Sequence, residues 1–506
     1  MSHIKSDRIL LSIYLLILIA HITLIWVLKY IPTQDGPSHI YNLAVLRDLL
    51  QGGEIWGTYY THDLQLIPNL GFHIFAYPLT AFLSPWQTEK AFLTLYICLM
   101  GLSVPVMLKA FQRPVFPVCF LVFPVIFNFT ILMGFYSYSI AIPFFLLFFS
   151  LAWMIRSKPA HWKIPIYSLC GFFLFCLHLI PFIFYMLALF CIIVSENFNK
   201  HIKRKSLLQN IASIAPLLVI FSFYKWNNRG PIFYNFDYLL SIERLGYLFA
   251  EFISFSSMNY TIVYFIPLSL FTAIFWMLML ISVKNDFLGR HYKLIFNSPY
   301  FLTATVLLLV YILFPFYLAD GAYFNQRFPW VIFLLALPII RIPKDNFLFQ
   351  IKLVIILSSV TLVFLFNTIF MWRHSMLVEQ YMSGLGVPLH KNSLIINYKR
   401  YGLDTSRIDV LLHAVSHYAL FHKTVNAGNY EARTDYFPVQ LKETFPPVPP
   451  LKSIQLLARE IEWDLYPNIE YLVAWEIGQY EGKDISSFFG MVFQEQNLSI
   501  WRRKQN

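Results

Sequence analysis

Apolar runs of about 17–25 residues recur along this chain from Ile9 to about residue 371, each close to the length a helix needs to cross the hydrocarbon of a bilayer. Little else in the sequence constrains the fold as strongly. The balance of residues agrees: 58% are hydrophobic and 13% charged, whereas a soluble surface needs roughly twice that charge. The runs predict an all-α multi-pass bundle of about eleven helices, near 9–28, 70–84, 89–109, 115–132, 135–155, 164–194, 207–224, 260–283, 298–319, 327–341 and 350–371. The first run is too long for a removed signal peptide and has no small-residue cleavage site, so it reads as an anchored helix. Pro181 divides the longest run and predicts a kink or a re-entrant piece there.

Charge sets the expected orientation. The formal charge of +11 arises largely in short loops between apolar runs, a pattern that cytoplasmic positive-inside bias explains and a nucleic-acid groove does not; no nucleic-acid partner is expected. Lys5 and Arg8 before the first run place the N-terminus in the cytoplasm. Lys200–Lys205, Lys284–Lys293 and Arg341–Lys352 then fall inside, while Lys109–Arg113 and Arg156–Lys163 fall on the disfavoured side. The first loop (30–69), the segment Lys225–Met258, the turn at Asp320 and the C-terminal region are expected outside a plasma (inner) membrane. The five cysteines, Cys98, Cys119, Cys170, Cys176 and Cys191, all lie within apolar runs, which argues against a disulfide framework or a cysteine metal site.

From Trp372 onward charges become frequent and no run reaches spanning length. Strands are predicted at Ser393–Tyr398, Ile469–Trp475 and Leu498–Arg502, and a helix over Val410–His422. The chain therefore divides into a membrane domain, 1–371, and an extracytoplasmic α/β domain, 372–506, large enough to bury a small core. Within the latter, NAGNYEARTDYFPV combines turn residues with aromatics and reads either as a recognition loop or as ordinary surface.

The segment Ile31–Gly53 follows the first apolar run. Asp35 lies in a turn bracketed by Pro32 and Pro37, and from Ser38 the pattern turns helical, with Ser38 as the expected N-cap. Ile40, Leu43, Val45, Leu46, Leu49 and Leu50 fall largely on one face, which predicts a helix on the membrane surface with Arg47 and Asp48 in water and Gly52-Gly53 ending it. A carboxylate at such a boundary has a raised proton affinity and suits a general base; Asp-Gly-Pro is equally a turn in its own right.

With its acidic QDGPSHIYN loop and the helix after it, the chain resembles the GT-C superfamily of integral-membrane glycosyltransferases. Many members carry two adjacent acids where this chain has Gln34-Asp35. The resemblance implies transfer of a sugar, usually with inversion, from a polyprenyl-phosphate donor to a glycan, lipid or protein acceptor on the external face, with Asp35 as the catalytic base. It also implies a basic residue for the donor phosphate in a late external loop; by role and location that residue is Arg327, in ADGAYFNQRFPW, with Asp320 beside it. The guanidinium fork fits a phosphate; it also fits an ion pair with Asp320. His39 is placed to orient Asp35, bind phosphate or ligate a metal, and Asp63 and Asn69 close the same loop as further substrate-binding residues. A divalent cation serves some GT-C enzymes and not others, and one Asp with one His makes a thin metal site. His178, Asn128, Tyr136 and Tyr138 read as helix-packing polar groups. No Walker loop, dinucleotide glycine pattern, GxSxG or CxxC occurs. A lipid-linked-sugar transporter would show two related halves with broken helices, and a non-catalytic assembly subunit would tolerate loss of Asp35 and Arg327.

Overall fold

The computed structural model describes residues 2–64, 67–199, 212–227, 241–255, 262–289, 292–314, 322–343, 347–399, 407–449 and 461–504. The helices in chain order are α1 (Ser2–Val27), α2 (Gly36–Leu50), α3 (Gly71–Leu79), α4 (Pro85–Ala110), α5 (Phe129–Met133), α6 (Tyr136–Ile155), α7 (Ala160–Leu177), α8 (Leu179–Asn199), α9 (Ala215–Asn227), α10 (Ile242–Ile253), α11 (Ile262–Leu288), α12 (Tyr292–Phe296), α13 (Pro299–Leu313), α14 (Pro329–Ala336), α15 (Phe347–Tyr381), α16 (Val415–His422) and α17 (Gln479–Ser486). The strands are β1 (Tyr60–His62), β2 (Leu394–Lys399), β3 (Val425–Asn426), β4 (Val439–Leu441), β5 (Ile469–Trp475), β6 (Phe489–Glu495) and β7 (Leu498–Arg503).

Among the described residues, seven helices are long and apolar enough to cross a membrane: α1, α4, α6, α7, α8, α11 and α15. The chain is a multi-pass membrane protein. Among the described residues the expectation of about eleven spans is not met, because several apolar runs do not form a continuous helix; the expected runs at 207–224 and 298–319 lie partly outside the described residues. The run at 70–84 yields only the nine residues of α3, roughly 14 Å at 1.5 Å per residue, too short for a core of about 30 Å. The run at 115–132 breaks into a 3-10 segment, Val118–Val125, and the short α5; Pro117 and Pro124 withhold the N–H groups a continuous helix needs. Pro329 and Pro338 likewise confine α14 to eight residues within the run at 327–341. The break in the run at 164–194 also lies elsewhere than expected. His178 is extended, with φ −170° and ψ 136°, and separates α7 from α8, while Pro181 sits harmlessly in the first turn of α8.

Two compact units emerge. The first comprises Met1–Thr23, Thr94–Ile131 and Ser137–Asn367. Its core is aromatic: Phe333 lies between Phe255, Phe271 and Phe275, with ring centroids 4.3–5.6 Å apart. One buried polar group within it is closed locally: the Asn128 carboxamide oxygen takes the Thr130 N–H at 2.8 Å.

The second unit comprises Leu24–Leu93, Leu132–Tyr136 and Thr368–Asn506, so the first loop groups by contact with the C-terminal residues. Its five-stranded sheet has the order β3-β2-β5-β7-β6, parallel for β3-β2-β5 and antiparallel for β5-β7-β6. The C-terminal region thus holds a mixed sheet. The run IEYLVAW forms the central β5, with six of its seven residues buried, as expected of a strand covered on both faces. The predicted helix over Val410–His422 is shortened to α16, because residues 410–414 form turns in which Asp409 Oδ1 accepts the Leu411 N–H.

A separate ribbon pairs β1 with β4 antiparallel, Thr61 opposite Gln440. Beside it α2 is anchored by a reciprocal amide pair: Asn42 Nδ2 donates to Asn429 Oδ1 at 3.0 Å, and Asn429 Nδ2 returns a bond to Asn42 Oδ1 at 2.8 Å. Both amides are buried, so losing one would strand the other at about 1–3 kcal/mol. Trp56 Nε1 donates to the Thr424 carbonyl at 2.8 Å and ties the end of the first loop to the same place.

Candidate functional site

The short turn before α2 determines where Asp35 points. Its N–H donates to the Met133 carbonyl at 3.1 Å, and the Gln34 N–H to Leu132 at 3.0 Å. Two glycines make this close approach possible. Gly134 has φ +92°, and a Cβ there would lie 2.8 Å from Asp35 Cβ and 2.9 Å from the Asp35 and Gly36 nitrogens. A Cβ on Gly36 would strike Thr33 Oγ1, Glu89 Oε1 and the Tyr136 hydroxyl.

The cap of α2 is Asp35, not Ser38, and the helix is not a surface helix: every residue from Gly36 to Leu43 is buried, as are Val45 and Leu46. One apolar face was legible, but the opposite face is covered too. Nor are Arg47 and Asp48 simply solvated. Arg47 bonds the Thr80 carbonyl, and Asp48 Oδ2 accepts the Ile55 and Trp56 N–H groups at 3.2 and 2.9 Å. The helix end agrees with expectation, with Gly52 and Gly53 at φ +119° and +69°.

Asp35 is 8% exposed. Gln34 Nε2 donates to its Oδ1 at 3.3 Å and the Tyr430 hydroxyl also bonds it, while His413 Nε2 lies 3.6 Å away. Burial raises its pKa to about 6; His39 and the two hydrogen bonds oppose that rise, and Glu431 adds to it. Gln34 thus supplies a hydrogen-bond donor to Asp35, and its Oε1 accepts the Asp409 N–H at 3.1 Å. His413 is pulled down to about 4, by burial first, and is neutral at pH 7.

One helical turn on, the His39 N–H donates to the Asp35 carbonyl at 3.0 Å. Its ring is enclosed by Phe72, Tyr136 and Phe437. Both ring nitrogens face acceptors, Nε2 the Gly134 carbonyl at 2.7 Å and Nδ1 the Glu431 carboxylate at 2.9 Å. The second contact is an ion pair off the ideal hydrogen-bond line, and among the described residues neither Glu431 oxygen has an aligned hydrogen bond. Burial pulls the His39 pKa down, but Glu431, Asp35 and the Gly134 carbonyl together outweigh it and hold the value at about 9. A ring with both nitrogens so engaged has no lone pair for a metal. Among the described residues no group of three His, Cys, Asp or Glu is placed to hold a metal ion.

Because the folded pKa of His39 lies above its ordinary 6.5, its pairing contributes stability that is complete below about pH 6.5 and is lost as pH rises through about 9. Thermal unfolding of detergent-solubilised protein should therefore fall across that window, and His39→Asn should flatten the fall. An unfolding temperature that declines equally in the variant would place the titrating group elsewhere.

Two further groups complete the surroundings. Glu89 accepts the Tyr136 hydroxyl, which also meets Thr33 Oγ1 at 3.0 Å. His73 is buried with, among the described residues, no hydrogen bond on either ring nitrogen, and burial, with the charge of His39, lowers it to about 3.

Asp35 and His39 are thus brought together. Asp63 follows β1, its N–H on the Pro438 carbonyl at 2.8 Å, and Asn69 lies half-buried in the turn before α3. Arg327 belongs to the first unit. It lies in a 3-10 turn, Nη1 3.3 Å from His178 Nε2 and Nη2 3.5 Å from the Ala322 carbonyl, its guanidinium over the Tyr138 and Phe324 rings. Burial lowers its pKa to about 10, so it stays cationic at neutral pH. Asp320 and parts of Lys225–Met258 lie outside the described residues.

Glu431, Tyr430, His413, Glu89 and His73 are the members that reading the sequence did not single out. For Glu431 and Tyr430 a signal existed, since both lie in the NAGNYEARTDYFPV stretch. Glu89 showed only as an acid near the start of an apolar helix. No family model, curated protein or solved structure matches this chain.

Proposed function

We propose that the chain is a membrane glycosyltransferase in which Asp35 accepts the proton of an acceptor hydroxyl. The acceptor oxygen bonds to the anomeric carbon of a polyprenyl-phosphate sugar as the bond from that carbon to the phosphate oxygen breaks. The electron pair leaves with the polyprenyl phosphate, and the anomeric centre inverts. The observation that carries this reading is the Asp35 carboxylate itself, buried directly after the first apolar helix with its proton affinity raised to about 6. That value leaves the group ionised at pH 7 yet basic enough to take a proton in a transition state. Asp35 is the residue that the resemblance to the GT-C superfamily assigns to this work. Purified protein in nanodiscs, given labelled polyprenyl-phosphate sugars and a membrane extract as acceptor source, should release polyprenyl phosphate and label the extract. Intact donors after incubation with a panel of common sugars would count against the transferase reading.

The resemblance gives Arg327 the donor phosphate, and the chemistry of its side chain suits that role. A cation held under aromatic rings favours a diffuse anion, and a planar fork matches two phosphate oxygens. Arg327→Lys keeps the charge and loses the fork, so donor affinity should fall about tenfold, with Arg327→Ala lower still. Equal donor binding in all three proteins would remove Arg327 from this role.

A further inference from the structure

We propose that Glu431 is a positioning residue for the reaction: it holds His39 as a fixed imidazolium, and that cation keeps the buried Asp35 carboxylate ionised. Its consequence for rate rests on the transferase reading, while its electrostatic part stands without it.

The geometry carries the inference. A backbone carbonyl has no proton to give, so His39 Nε2, 2.7 Å from the Gly134 oxygen, must carry one. The second proton belongs to the contact between Nδ1 and Glu431, at 2.9 Å. A bare Nδ1 lone pair facing a carboxylate at that distance would be repelled. The carbonyl on Nε2 and the carboxylate of Asp35 both favour the proton on the ring. Glu431 is fully buried and His39 nearly so, which keeps bulk solvent from screening the pair.

Position explains why this matters to Asp35. His39 lies one helical turn from it on α2, so Glu431 acts on the base through an intermediate it grips directly. Glu431 comes from the 3-10 turn Glu431–Arg433, whose preceding residue, Tyr430, bonds the Asp35 carboxylate. One short segment thus steadies both members. Among the described residues, the other groups facing the pair are His413 and His73, both neutral at pH 7, and Glu89, which is bonded to Tyr136. None of them supplies a cation.

The sign of the effect is decisive. His39 lowers the proton affinity of Asp35 and Glu431 raises it, and the His39 influence is the larger. Glu431→Gln removes one charge directly and, by releasing the ring proton, the other as well. Asp35 then loses its net support, and the acid limb of the pH–rate profile should move up by about one unit. His39→Gln should move it the same way, and the double variant should move it no further than the larger single.

Two measurements on the full-length protein test this. Histidine nitrogen NMR in detergent, with the His39 signal assigned by its loss in His39→Gln, should show both ring nitrogens protonated at pH 7 in the wild type. In Glu431→Gln the signal should become that of a neutral ring. A neutral His39 in the wild type, or an imidazolium that persists in the variant, overturns the proposal. So does an acid limb that stays in place or moves down in both variants. If the wild type transfers no sugar, the transferase reading fails and the NMR result still decides the role of Glu431. If Glu431→Gln does not fold, His39→Gln carries the pH–rate test and the wild-type spectrum the other.

Discussion

Asp35→Asn should reduce sugar transfer by about a hundredfold or more, the scale of a lost general base, while the chain folds as before. Asparagine matches aspartate in shape and still accepts hydrogen bonds, but it takes no proton at neutral pH. The backbone bonds that fix the turn, from the Asp35 N–H to Met133 and from the His39 N–H to the Asp35 carbonyl, do not involve the side chain. Stability should not fall. The raised pKa means that ionised Asp35 destabilises the folded state above its ordinary value of 3.8, a penalty that grows as pH rises through about 6. Removing the charge relieves that penalty and also removes an anion that supports His39. The two effects oppose each other, so the variant should be unchanged or about 1 kcal/mol more stable at pH 7. In the wild type, turnover should climb with pH and level off above about 6. Full turnover in the variant, measured by release of polyprenyl phosphate, would move the chemistry away from Asp35.

Gly134→Ala should be strongly damaging to the second unit. The added methyl meets backbone at 2.9 Å and Asp35 Cβ at 2.8 Å, and neither can swing aside. The φ of +92° adds strain for any residue with a Cβ. Together these should destabilise the fold by about 3 kcal/mol or more, and activity should be lost with it. Gly52→Ala is the control: its φ is +119°, but nothing lies within 4 Å of the new methyl. It should lose only about 1 kcal/mol, from strain alone. Equal losses in thermal unfolding would show that backbone strain, and not the approach of the two segments, dominates at Gly134.

Much of the secondary structure was legible because long apolar runs and a fully apolar strand such as Ile469–Trp475 report burial directly. Prolines within the runs were harder to read. Pro143 sits inside α6 without interrupting it, whereas Pro117 and Pro124 fragment their segment. Neighbouring packing decides between those outcomes, and periodicity does not record it. The reading of α2 as amphipathic failed for a related reason. Asn42, Ser38 and His39 look like a wet face until Asn429 and Glu431 arrive from nearly 390 residues away. Asp35 and His39 could be nominated because they are neighbours in sequence; Glu431 could not be paired with them by any local rule.

That separation also orders how the protein is made. β1 has no partner until β4 is synthesised, and Asn42 none on Asn429 until most of the chain has emerged. Contacts of such long range form late, after the apolar helices have been inserted one by one. A nascent chain therefore carries Asp35 and His39 before the glutamate and tyrosine that tune them. The charged surroundings of Asp35 are complete only once Tyr430 and Glu431 have been made.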